Sequence, residues 1–196
     1  MNDSTNPSGS RRLLLQAGAG LLVIPWMLGA RSARAQGAAV PAAASSSPAE
    51  MERSAPNLPA PGSSVSLPDM TLLDGSAFHA AQTQGQVTVV YWWASTCPFC
   101  AQQSPEMQKF WQAYQGKGLQ FLALSVDKKP QDAQVYLTKK GYTFPSGWVS
   151  PEVHKRLPKP KGLPITLVLG RDGRVLQAEK GQLFPEDVAQ LAQWLK

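Results

Sequence analysis

The spacing of apolar residues divides the chain in two. Before about residue 66 they keep no regular period. Residues 13–30 form an apolar stretch broken by Gln16, several glycines and Pro25, and residues 37–48 form an Ala/Pro/Ser tract. From residue 67 onward, short apolar runs alternate with spaced apolar positions. Residues 70–73, then Asp74-Gly75, then residues 76–78 read as a small hairpin, because Asp-Gly suits a tight turn. Val87–Trp93 is a continuous β-branched and aromatic run, the composition of a strand buried on both faces. Over Pro98–Tyr114, Met107, Phe110, Trp111 and Tyr114 recur at three- and four-residue steps, as on one helix face. Residues 119–126 repeat the buried-strand pattern. Pro130–Lys140 opens with the proline favoured in a first helical turn. A looser region with a short helix at 151–157 follows. Residues 164–169, the Arg171-Asp172-Gly173-Arg174 turn and residues 175–177 predict a strand–turn–strand unit. Residues 185–195, with Val188, Leu191, Ala192, Trp194 and Leu195, predict a closing helix. The order β-α-β-α, then β-β-α, implies an α/β fold: a parallel half-sheet extended by antiparallel strands.

The front of the chain reads as an address. Ser10-Arg11-Arg12-Leu13-Leu14-Leu15-Gln16 resembles a twin-arginine export signal, and Ala33-Arg34-Ala35 has the small-x-small form of a cleavage site. Residues 1–35 are therefore expected to be a signal peptide. Left uncleaved, they would be an anchor, although the apolar stretch is marginal against the roughly 20 residues a span needs. Residues 36–66 are expected to be a flexible linker, since an Ala/Pro/Ser tract cannot bury enough apolar surface to offset its ordering entropy. That leaves 67–196 as the folded domain.

Charge excludes one class of partner. Setting residues 1–35 aside removes four arginines and Asp3, and lowers the formal charge from +6 to +3. No basic stripe with interleaved aromatics remains, so nucleic acid is not expected. The run His154-Lys155-Arg156-Leu157-Pro158-Lys159-Pro160-Lys161 reads as a solvated loop that could bias binding toward acidic surfaces.

The two cysteines, Cys97 and Cys100, form one C-x-x-C. A structural zinc site wants about four ligands, and the chain adds only the distant His79 and His154, so no metal is expected. Redox chemistry fits better. Cys97 sits where a strand ends and a helix begins, where unpaired N–H groups and the helix dipole favour thiolate and lower its pKa below about 8.5. Cys97 is the candidate nucleophile, and Cys100, one turn on, the resolving thiol. Pro98 suits the first helical turn. Phe99 adds no hydrogen-bond donor to the thiolate.

Trp92-Trp93-Ala94-Ser95-Thr96-Cys97-Pro98-Phe99-Cys100, followed by Pro105, resembles the thioredoxin-like TlpA/ResA family of exported thiol–disulfide oxidoreductases. Asp74-Gly75, Gly162-Leu163-Pro164-Ile165-Thr166 and the Arg171-Asp172-Gly173 turn fit the same family, over roughly residues 60–196. The resemblance implies a thioredoxin fold with an N-terminal β-hairpin extension. It further implies that Pro164 is a cis-proline facing the cysteines, that Leu163 offers its backbone to substrate, and that Trp93 lies beside the redox pair. It implies protein disulfides as substrates, a membrane electron donor, a periplasmic location, and service to cytochrome c maturation or to rescue of oxidised proteins. No cofactor beyond the redox-active Cys97–Cys100 pair is implied, and a monomer is expected.

The departures matter. Many relatives carry a carboxylate near the resolving cysteine, but here the matching positions are Gln103 and Tyr91, and Thr96 replaces a common tryptophan. Glu106 and Asp127 are the substitute proton acceptors to consider. Three other functions stay open: an oxidant or isomerase of the same fold, a peroxiredoxin, and a Cys-pair metal module. The peroxiredoxin lacks its motif residues, since Ala94 and Val90 stand where Thr or Ser and Pro are wanted.

Overall fold

The computed structural model describes residues 52–196. The expected signal peptide, its cleavage site and most of the expected linker lie outside them. The elements are β1 (Met70–Thr71), β2 (Ala77–Phe78), a 3-10 turn (Ala80–Thr83), β3 (Val87–Trp93), α1 (Pro98–Tyr114) and β4 (Leu119–Ser125). They continue with α2 (Pro130–Lys140), β5 (Ser146–Trp148), α3 (Pro151–Arg156), β6 (Ile165–Leu169), β7 (Val175–Lys180) and α4 (Pro185–Gln190). A 3-10 segment, Leu191–Leu195, ends the chain.

Strand β3 lies at the centre of a five-stranded sheet of order β5-β4-β3-β6-β7. It pairs parallel with β4 and antiparallel with β6, and β7 pairs antiparallel with β6. Side chains alternate across the pleat. Val87, Val89, Tyr91 and Trp93 therefore enter one cluster with Met107 and Phe110 of α1 and Val188 of α4. Val90 and Trp92 enter the other, with Leu67, Leu72, Phe78 and Leu157. Trp92 and Trp93 are both fully buried because the sheet is covered on both faces.

Three features depart from the sequence-based expectation. Strand β5 was not foreseen: three residues centred on Gly147 carry no periodic signal. A Cβ at Gly147 would meet the Met70 side chain, its Cε at 2.6 Å, so a larger residue there would have to push that flexible side chain aside. Helix α4 stops at Gln190 and continues as 3-10 rather than running to residue 195 as α-helix. The expected linker boundary at 66 also moves back. Gly62 N–H donates to Val175 O at 2.7 Å, Val175 N–H donates to Ser63 O at 2.9 Å, and Leu58 and Val65 pack on the core. Two apolar residues and a free β7 edge dock this stretch.

The β1–β2 turn is the Asp74-Gly75 pair, with Gly75 at φ +87°, a conformation open to glycine. Farther upstream, Glu52 clasps the loop before β6. Its carboxylate accepts from Lys159 Nζ at 3.0 Å and from Gly162 N–H at 2.7 Å. Burial pushes the Glu52 carboxyl up, but the Lys159 and Gly162 hydrogen bonds and the charges of Lys159 and Lys161 outweigh it and hold it below 4.5. In the interval between the folded and ordinary values, the unfolded chain binds the extra proton. The clasp thus contributes fully above pH 4.5 and is lost as pH falls through the lowered folded value. Glu52→Gln should flatten the acid side of a stability–pH curve measured by urea unfolding and leave the alkaline side parallel to wild type. An unchanged acid slope would show that the clasp does not form.

Candidate active site

Strand β3 delivers the chain to one end of the sheet, and α1 starts there. Cys97 is the helix N-cap, with extended backbone, and Pro98 follows in the first turn. Cys97 Sγ accepts the Cys100 N–H at 3.1 Å, the position an N-cap Ser or Asp oxygen takes in other helices. The two cysteines are joined as a disulfide with Cα atoms 5.2 Å apart. Cys97 is partly exposed and Cys100 only 1% exposed. An incoming sulfur can therefore reach Cys97 and not Cys100. On reduction, the same N–H and the helix dipole favour negative charge on Cys97.

Pro164 stands at the same end. Its peptide bond with Leu163 is cis, and the register of Trp92 opposite Ile165 sets it one step farther along, beside the end of β3. Leu163 packs against the cluster that holds Cys97, Cys100 and Trp93. Gly181 N–H donates to Pro164 O at 2.9 Å, so the loop after β7 joins the rim. Thr96 and Pro98 are exposed, and so are the rings of Phe99 (56%) and Phe184 (60%). Trp93 is sealed below, with its ring 5.4 Å from that of Tyr136.

Behind Cys100 the groups are polar and uncharged. The Tyr91 hydroxyl donates to Cys100 O at 3.3 Å and lies 3.1 Å from Ser104 Oγ. Burial pushes its pKa far above the ordinary 10, so it stays neutral. Gln103 is fully buried; its Nε2 donates to Thr166 Oγ1 at 3.0 Å and its Oε1 accepts from Leu183 N–H at 2.8 Å.

The chain matches the Redoxin family over residues 60–195. It belongs to that family. Among curated proteins it is similar to the thiol-disulfide oxidoreductase ResA of Geobacillus thermodenitrificans, 24% identical over 134 residues covering 66% of this chain and 75% of the relative. It is also similar to the sporulation thiol-disulfide oxidoreductase A of Bacillus subtilis, 25% identical over 119 residues covering 57% and 67%. The crystal structure of the thioredoxin-family thiol:disulfide interchange protein from Chlorobium tepidum TLS superposes with a TM-score of 0.63 at 20% identity, covering 70% of this chain and 99% of that one. StoA from Bacillus subtilis gives a TM-score of 0.57 at 20% identity, covering 68% and 100%. The fold is thus a thioredoxin fold, and the chain is ResA/TlpA-like.

Within this Redoxin chain, the two carboxylates considered as proton acceptors are engaged elsewhere. Glu106 pairs with Lys109 at 2.8 Å and sits about 9 Å along the helix axis from Cys100 at 1.5 Å rise per residue. The structure does not bring it to the cysteines. Asp127 is 8% exposed and holds the loop before Cys97. Ser95 N–H donates to both of its oxygens at 3.0 and 3.1 Å, Ser95 Oγ donates at 2.7 Å, and Ser125 Oγ donates at 2.7 Å. No hydrogen bond links Asp127 to either cysteine among the described residues. Of the basic loop, Lys159 is turned inward by Glu52, Pro160 O and Gly162 O. Sequence reading missed these anchoring roles of Asp127, Gln103 and Glu52; only the polar Gln103 on the apolar face of α1 gave a hint.

Removing the Asp127 carboxylate leaves Ser95 N–H without its acceptor in a part-buried loop. Asp127→Ala should lower stability by about 2–4 kcal/mol, several charge-assisted bonds being lost together. Urea denaturation checks this, and Asp127→Asn should recover part of the loss because its amide oxygen can still accept from Ser95. A loss within error for the alanine variant would show that the loop stands without it.

Proposed function

We propose that this thiol–disulfide oxidoreductase reduces disulfides of exported proteins in the periplasm and is itself kept reduced by a dithiol donor at the membrane. The observation that carries the reading is the unequal exposure of the two sulfurs, with Cys97 accessible at a helix N-cap and Cys100 sealed one turn inside. The leader with its arginine pair supports the location. Its processing decides whether the protein is free or anchored. Among the described residues no helix is long and apolar enough to cross a membrane.

The reaction runs in two exchanges. Cys97 thiolate attacks one sulfur of a substrate disulfide; an S–S bond forms to Cys97 and the other substrate sulfur leaves as thiolate. Leu163 presents its backbone to the substrate as an extended partner, with Pro164 holding that backbone at the rim. Cys100 then attacks Cys97 Sγ, its proton passing to a departing substrate sulfur, and the Cys97–Cys100 disulfide closes. Two electrons and the Cys100 proton have moved to the substrate, which leaves as one thiol and one thiolate. The donor dithiol returns the protein to its reduced form by the reverse exchanges. The cysteine pair carries the electrons, with no further cofactor, and Pro98 and Phe99 shape the surface that the substrate meets. Trp93 packs the floor beneath. A monomer suffices for these steps, and no nucleic acid takes part.

Acid quenching of growing cells, followed by thiol alkylation with a mass tag, reads the redox state of the pair. A mainly reduced pair is expected, because a reductase has to be held below the poise of its compartment. A mainly oxidised pair would overturn the reducing direction and point to an oxidant or isomerase.

A further inference from the structure

We infer that Gln103 is a positioning residue for the disulfide exchange: a fully buried amide that sets the two substrate-flanking segments, around Pro164 and around Leu183, against the redox helix. The inference rests on the exchange reading of the same site.

A buried amide is tolerated only when both of its ends are bonded. Gln103 meets this with partners far away in the chain, Thr166 on β6 and Leu183 after β7. Its own place is three residues beyond Cys100, one helical turn along α1. Each partner lies two residues from the Gly181–Pro164 contact. Thr166 lies two residues past Pro164, on the same strand face, and Leu183 precedes the exposed Phe184. The Gly181–Pro164 hydrogen bond joins the two partners' segments directly. Helix, strand and loop thus form a closed three-sided frame one helical turn beyond Cys100, and Gln103 is the corner that includes the helix.

The amide suits this corner because it donates on one side and accepts on the other at once. An ionised carboxylate could only accept. An apolar side chain of the same length would fill the space and leave Leu183 N–H without its acceptor. The consequence concerns large substrates. A peptide disulfide has to lie along the backbone before Pro164, whereas a small disulfide needs only Cys97.

Steady-state reduction of two substrates by the full chain tests this, one a ten-residue peptide with an internal disulfide and the other hydroxyethyl disulfide. Gln103→Met should raise KM for the peptide about tenfold while kcat/KM for hydroxyethyl disulfide stays within about two-fold of wild type, since misplacing a positioning contact costs orientation and not chemistry. Thr166→Val, which keeps the shape of the side chain and removes one tie, should raise the peptide KM by a smaller factor. The double variant should match Gln103→Met alone, because the bond that Thr166→Val removes is already lost in Gln103→Met. Should Gln103→Met not fold, Thr166→Val carries the test. An unchanged peptide KM, or equal losses with both substrates, would overturn the positioning role. Failure of the unaltered chain to reduce either disulfide would overturn the exchange reading instead, and this inference with it.

Discussion

Strand β3 cannot be uncovered on either face: Val87, Val89, Tyr91 and Trp93 fill one apolar cluster while Val90 and Trp92 fill the other. Burying side chains of this size is worth roughly 1.5–3 kcal/mol each, enough to hold the central strand and its register. The chain can therefore leave β3 only at the sheet's end, and α1 has to begin there to return its own apolar stripe to the same core. Cys97 falls at that turn. Its position at the edge of solvent, with a helix N-terminus pointing at its sulfur, follows from how the core is filled.

The active end is then held by a few buried polar groups. Backbone N–H groups at junctions need acceptors wherever water is excluded. Asp127 supplies one for the loop before Cys97, Gln103 supplies one for the loop after β7, and Tyr91 donates to the carbonyl of Cys100. None of the three hydrogen-bonds to a cysteine sulfur. They fix the surroundings of the sulfurs, and the pair itself moves electrons. The outer surface has a different character: Phe99 stands exposed two residues from a partly exposed Cys97, so a substrate is met by a ring and by backbone.

The groups behind Cys100 are neutral: the Tyr91 hydroxyl, Ser104 and Gln103. The Glu52 clasp ties a segment that sequence patterning assigns to the linker onto the loop leading to Pro164. Glu52 is thereby joined to the loop just before Leu163 and Pro164.

The sequence by itself determined the alternation of strands and helices, the extent of β3 and α1, and the place of Cys97 and Cys100 at their junction. These depend on periodicity and on turn and cap residues, which act over a few neighbouring positions. It could also name Pro164, through a family resemblance. Only the tertiary structure decided that β5 exists, that residues 62–65 belong to the fold, and that Glu106 faces Lys109. It alone showed Asp127, Gln103 and Glu52 to be anchors. Gln103 and Leu183 are 80 positions apart, and Ser95 and Asp127 are 32 apart. A hydrogen bond across such separations leaves no local pattern, because packing of the whole core brings its two ends together.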